Sequence, residues 1–176
     1  MNTKLDISYL GHEILRKKAS HMSNVLDKNF QQLIDNMLFT VKQVNGLGIA
    51  APQVYQSKRM FIIASKPSKR YPNAPEMAPI AIINPVILNH SEEKIKDWEG
   101  CLSIPGIRGL VPRYKSIDVA FTDRTGKQIT QTFNDFVARI FQHELDHLNG
   151  IVFLDQLDSN KDIITEKEYQ KIVSNL

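Results

Sequence analysis

Asp135-Phe136-Val137-Ala138-Arg139-Ile140-Phe141-Gln142-His143-Glu144-Leu145-Asp146-His147-Leu148-Asn149 is the stretch on which the reading of this chain turns. Val137, Ile140, Phe141, Leu145 and Leu148 recur at spacings of three and four, the period of an amphipathic helix. Asn134 or Asp135 is suited to cap its start and Gly150 to end it. His143 and His147 stand four residues apart, so on that helix both imidazoles lie on one face, close enough to share one ion. Glu144 follows the first histidine and can lean over the ion's open side, where it can take a proton from bound water. Phe136, Ile140, His143 and His147 fall along one stripe, so the candidate ligands emerge from an apolar face. An ordinary helix with partly buried histidines is the competing reading.

Two histidines are one short of the three protein ligands usual in catalytic metal sites. Cys101, the single cysteine of the 176 residues, is the candidate third. It sits in Trp98-Glu99-Gly100-Cys101-Leu102-Ser103-Ile104-Pro105-Gly106, with turn formers on both sides. By itself a lone cysteine reads as a small buried hydrophobe.

Working outward, Val25, Leu26, Phe30, Leu33, Ile34, Met37, Leu38, Val41 and Val44 predict a helix over residues 25–44, ended by Asn45-Gly46. A Gly/Ala/Pro-rich stretch, 46–53, follows. Residues 59–64 read as a buried strand, and 66–79, with four prolines, as a surface loop. Residues 80–88 form a second strand region, interrupted by Asn84-Pro85. Residues 116–122 and 127–133 read as antiparallel strands around a turn at 123–126, and a last helix is expected at 162–174. Strands mixed with separated helices argue for an α+β domain spanning 1–176.

Charged residues make up 23% and the net charge is +3, which does not mark a nucleic-acid binder, because such proteins cluster their cations. The nearest cluster, Arg16-Lys17-Lys18, reads as solvated surface. One cysteine allows no internal disulfide and fits a reducing compartment. The first residues lack the apolar core of a secretory signal, and no apolar run nears the roughly 18 residues needed to span a bilayer. The expected location is cytoplasmic, with no membrane or nucleic-acid partner.

Three segments together resemble the peptide deformylase family. Gly46-Leu47-Gly48-Ile49-Ala50-Ala51-Pro52-Gln53 is similar to its Gly-x-Gly-x-Ala-Ala-x-Gln motif, Glu99-Gly100-Cys101-Leu102-Ser103 to its second, and Gln142-His143-Glu144-Leu145-Asp146-His147 to its third. Order and spacing also agree, from about Ile14 to Leu157. The resemblance implies an α+β fold of mixed or antiparallel short sheets around a central metal-bearing helix. It implies removal of the formyl group from the N-terminal formyl-methionine of new polypeptides. Cys101, His143 and His147 would hold one divalent metal, naturally Fe2+, with Zn2+, Ni2+ or Co2+ able to substitute. Metal-activated hydroxide would attack the formyl carbon, Glu144 would accept and return the proton, and Gln53 and the Leu102 N–H would steady the oxyanion.

Gly46 and Gly48 would let a peptide backbone approach. Leu47, Phe136, Ile140 and the stem of Arg139 are candidate walls for the methionine side chain. Glu99 and Arg113 are expected to pair and brace the cysteine loop. Nascent chains are the expected partners, with a transient ribosome contact. Two rivals remain. A zinc protease of the His-Glu-x-x-His type would take its third ligand from Glu166 or Glu168. A closed structural site would draw on His12, His21 or His90.

Overall fold

Val25 and Leu26 are apolar, yet the first helix, α1, begins only at Lys28 and runs to Gln43. Asp27 sets that start by accepting a hydrogen bond at Oδ1 from the Phe30 N–H (3.0 Å), which satisfies a donor that the first turn leaves without a partner. The computed structural model describes residues 2–68 and 71–174. α1 buries Phe30, Ile34, Met37 and Val41 against a five-stranded sheet.

That sheet runs in the order β1 (Gly48–Ala50), β2 (Met60–Ile63), β3 (Ile80–His90), β6 (Ser116–Thr122) and β7 (Gln128–Asn134), with every neighbouring pair antiparallel. Residues 84–85 do not interrupt β3. The strand continues through a register shift between Ile83 and Val86. Asn84 adopts φ of 51° there, and its side chain bonds to Met22 in both directions. The expected 116–122 and 127–133 pair is present, its turn closed by Asp123 Oδ1 accepting from the Thr125 and Lys127 N–H groups.

A three-stranded sheet, β4 (Lys94–Cys101), β5 (Ile104–Tyr114) and β8 (Ile163–Thr165), completes the strands. The expected helix at 162–174 is shorter than the periodicity suggests. β-branched Ile163, Ile164 and Thr165 pair with β5 instead, and the helix, α3, spans Glu166–Ser174.

The metal-motif helix, α2 (Asp135–Leu148), lies between the sheets. It packs on β1, β2, β6 and β7 on one side and on β5 on the other. Phe141 stands edge-on to Phe61, with centroids 5.1 Å apart, in a core that includes Ile63, Val119 and Phe133. The sandwiched helix buries its middle residues, 138–144, polar side chains included, and the α+β architecture around a central helix is as expected.

Candidate metal centre and active-site pocket

Because α2 is sandwiched, its histidines are buried: His143 is 8% exposed and His147 fully enclosed. Opposite them the β4–β5 hairpin turns at Cys101, whose Cα pairs with Ile104 after a register shift at Glu99. That irregularity turns the cysteine toward the helix. The potential donor atoms of Cys101, His143 and His147 all lie within 4.8 Å of one another, with Cys101 Sγ 3.2 Å from His147 Nε2.

Glu99 holds the arrangement together. Its carboxylate receives Nε and Nη2 of Arg113 (2.9 and 3.0 Å), Nη1 of Arg139 (2.8 Å) and Nδ1 of His143 (2.9 Å). Burial pushes the Glu99 carboxyl up, but the Arg113 charge and the bonds from His143 and Arg113 overcome it and hold the group well below the usual carboxylate range. The bond at His143 Nδ1 leaves Nε2 free to serve as a donor, the arrangement of carboxylate–histidine–metal triads. Burial keeps His147 well below the usual histidine range, so its imidazole is neutral and able to bind a cation. One sulfur and two imidazoles suit a divalent transition metal, and the residues fit such an ion.

Glu144 is 4% exposed, and its Oε2 is buried without a hydrogen-bond partner among the described residues. Burial lifts its carboxyl to about 7, against the pull of His143. Gln53 is held at both ends of its amide. Oε1 accepts from the Ala50 N–H (2.8 Å), while Nε2 donates toward Cys101 Sγ (3.3 Å) and Ser103 Oγ (3.2 Å).

A pocket of about 290 Å³ opens beside these groups. Gly46, Leu47, Gly48, Gln53, Glu99, Cys101, Leu102, Phe136, Arg139, Ile140, His143 and Glu144 line it, so nearly every residue singled out from the sequence meets here. His147 and Arg113 are not part of its lining. The guanidinium of Arg139 has a part that the sequence did not indicate. It turns inward to Glu99 and to the Val111 and Ile95 carbonyls, leaving only the Arg139 stem for the pocket. The glycines also stand close to the protein's own side chains. A Cβ on Gly48 would fall 2.4 Å from Glu144 Oε1, and one on Gly46 would meet Val41 and Leu102 at 3.1 and 3.3 Å. A Cβ at Gly48 would displace the end of the Glu144 side chain, whereas at Gly46 the neighbours would have to give by only a few tenths of an ångström.

The rival ligands lie outside the Cys101–His143–His147 donor cluster. Glu166 pairs with Arg108 and Glu168 with Lys171. His12 caps Ile14, His21 bonds Asn84, and His90 stacks on Tyr114. Sequence reasoning did not single out Asp146, which binds Arg113 Nη1 at 2.6 Å, nor Tyr71, Trp98 and Arg108 in the pocket wall. Their roles depend on contacts between distant elements, and no local pattern signals them.

A His-Glu-x-x-His helix set against a cysteine hairpin, in an α+β fold, defines the class: metal-site proteins of the metallohydrolase type. The family model for polypeptide deformylase matches residues 4–162. The chain is 57% identical over 170 residues to "Peptide deformylase 2" of Nostoc sp., covering 97% of this chain and 95% of that one. The crystal structure of a class I type b peptide deformylase from Acinetobacter baumannii with Met-Ala-Ser bound superposes with a TM-score of 0.87 at 43% identity, covering 89% of this chain and all of that one. The peptide deformylase of Thermotoga maritima gives 0.80 at 34% identity, covering 90% of this chain and all of that one. The chain belongs to the polypeptide deformylase family, a family of enzymes.

Proposed function

We propose that this protein removes the formyl group from the N-terminal formyl-methionine of newly made polypeptides, with one divalent cation held by Cys101, His143 and His147. The observation that carries the reading is the convergence, at one pocket, of that buried donor set with Glu144, whose Oε2 has no hydrogen-bond partner among the described residues, and with the fixed amide of Gln53. A cation bound there would supply Lewis acidity, lowering the pKa of a water and polarising the formyl oxygen. We assign ferrous iron on the family resemblance. The donors themselves accept zinc, nickel or cobalt as well.

Glu144 is the proton carrier. Its carboxylate takes the proton of the attacking water and returns it to the leaving amine, and a cation beside it would draw its pKa down from the value to which burial raises it. As the formyl carbon becomes tetrahedral its oxygen gains negative charge. The side-chain amide of Gln53 and the N–H of Leu102 are the donors assigned to it. Gln53 is pre-set for this, since Ala50 fixes its oxygen and so aims its NH2 at the Cys101–Ser103 turn.

β1 is an edge strand, which suits an extended peptide lying alongside Gly46–Gly48. Leu47, Phe136, Ile140 and the stem of Arg139 then face the methionine. Such substrates are nascent chains, so the enzyme would work in the cytoplasm, near the ribosome. No helix among the described residues is long and apolar enough to cross a membrane.

The test is formate release from formyl-Met-Ala-Ser against its acetylated equivalent, on anaerobically purified protein with its metal measured. The formyl peptide should react, and the acetyl peptide should be at least a hundredfold slower. Its methyl group displaces the carbonyl from its donors, and about an ångström of misplacement costs on the order of a hundredfold. Cleavage of internal peptide bonds without formate would overturn the reading.

A further inference from the structure

The family match ends at residue 162, yet the next residues reach the pocket. β8 adds a strand to β5, with Arg108 opposite Ile164. Immediately after it, Glu166 lines the pocket together with Arg108, Tyr71 and Phe136. Arg108 joins these parts. It is 1% exposed, and its Nε and Nη2 donate to Glu166 Oε2 and Oε1 at 2.5 and 3.1 Å. Nη1 donates to the Tyr71 hydroxyl. The guanidinium also lies over two rings, 4.6 Å from the Tyr169 centroid and 5.2 Å from that of Tyr71. The Tyr71 ring in turn packs on Phe136, with centroids 5.3 Å apart.

The same guanidinium covers the backbone between Glu99 and Cys101. A Cβ on Gly100 would stand 2.6 Å from Arg108 Nη1 and 2.7 Å from Cζ. A permanently charged group stays out of water only where it is paired and hydrogen-bonded. Its carboxylate partner and one of its two ring faces come from residues 166 and 169. Without them the guanidinium turns toward solvent and that section of the wall opens.

We propose that residues 163–174 form part of the substrate pocket and set which first side chain it accepts, with Arg108 as the positioning residue through which they act. This inference rests on the deformylase reading. Glu166 and Tyr169 hold Arg108 across Gly100, and the filled wall then limits the size of the side chain that follows the formyl group.

The experiment compares kcat and KM for formyl-Met-Ala-Ser and formyl-Phe-Ala-Ser in the intact protein, in Glu166→Ala and in Tyr169→Leu, with metal content and thermal melting measured on each. The preference for methionine over phenylalanine in kcat/KM should fall at least fivefold in both variants. The change should lie mainly in KM, with metal content unchanged. Tyr169→Leu keeps the Arg108–Glu166 pair and remains a test if Glu166→Ala does not fold. A lowered melting temperature with the preference unchanged would reduce the segment to a structural prop and overturn the inference. Absence of formate from the intact protein would instead remove the deformylase reading itself.

Discussion

The carboxylate of Glu144 occupies the space that a side chain on Gly48 would need. A Cβ built on Gly48 comes within 2.4 Å of Glu144 Oε1, 2.8 Å of Cδ and 2.9 Å of Cγ, so the edge strand β1 and the metal-motif helix meet at this contact. Gly48→Ala should leave the metal in place and displace the carboxylate. Loss of kcat/KM on a formyl-Met peptide should be on the order of a hundredfold, the cost of about an ångström of misplacement. Near-normal turnover in this variant would show that Glu144 relaxes without consequence.

Glu144→Gln should fold, retain its metal and lose roughly 10²–10⁴-fold in kcat, the usual worth of a positioned proton carrier. The amide keeps the shape of the buried group but cannot accept and return a proton. Measured together, metal content and kcat separate this from damage to the ligand set. Parallel loss of both would count against the assigned role.

Cys101→Ser should weaken metal binding, because a hydroxyl is a poor substitute for a thiolate toward iron or zinc. The intact protein loaded with ferrous iron should lose activity in air faster than the same protein loaded with nickel, since ferrous iron at an open site reacts with oxygen and exposes the adjacent sulfur to oxidation. Mass spectrometry of Cys101 provides the check. Equal decay of the two forms with an unmodified cysteine would count against the idea.

The metal-motif helix was legible because its apolar residues and its two histidines obey one period, although burial in the fold is broader and takes in the unbroken run 138–144. The β4–β5 hairpin was not. Lys94-Ile95-Lys96-Asp97 shows little apolar alternation, and Pro105, Gly106, Gly109 and Pro112 read as breakers. Packing explains why they are tolerated: a Cβ on Gly109 would meet Phe153 at 2.7 Å, so the strand needs that glycine to sit against the segment after α2. Asn84-Pro85 looked like an interruption because a bulge and a strand end carry the same residues. In the site, Cys101, His143, Glu144 and His147 were visible as residue types at telling spacings. The inward turn of Arg139 was not, since it depends on carbonyls at Ile95 and Val111 from two strands the sequence did not reveal.

Glu99 carries the last prediction. It is 4% exposed and is shared by Arg113, Arg139 and His143. Glu99→Gln changes little in volume but removes the negative charge between two buried guanidinium groups. Arg113 keeps Asp146 as a partner. Arg139 keeps only backbone carbonyls, which hydrogen-bond its cation without neutralising it. Breaking a buried pair from one side typically costs about 3–5 kcal/mol. Taking the lower figure because of Asp146, the melting temperature should fall by roughly 6–12 °C. His143 loses a carboxylate acceptor at Nδ1, so metal affinity should drop about 10–100-fold. Saturating metal restores occupancy without restoring the charge balance, so titrating metal into the variant should recover much of the activity while leaving most of the instability. Unchanged melting and unchanged affinity would mean that Arg113 and Arg139 find other partners and that Glu99 is not what holds the cysteine hairpin to the helix.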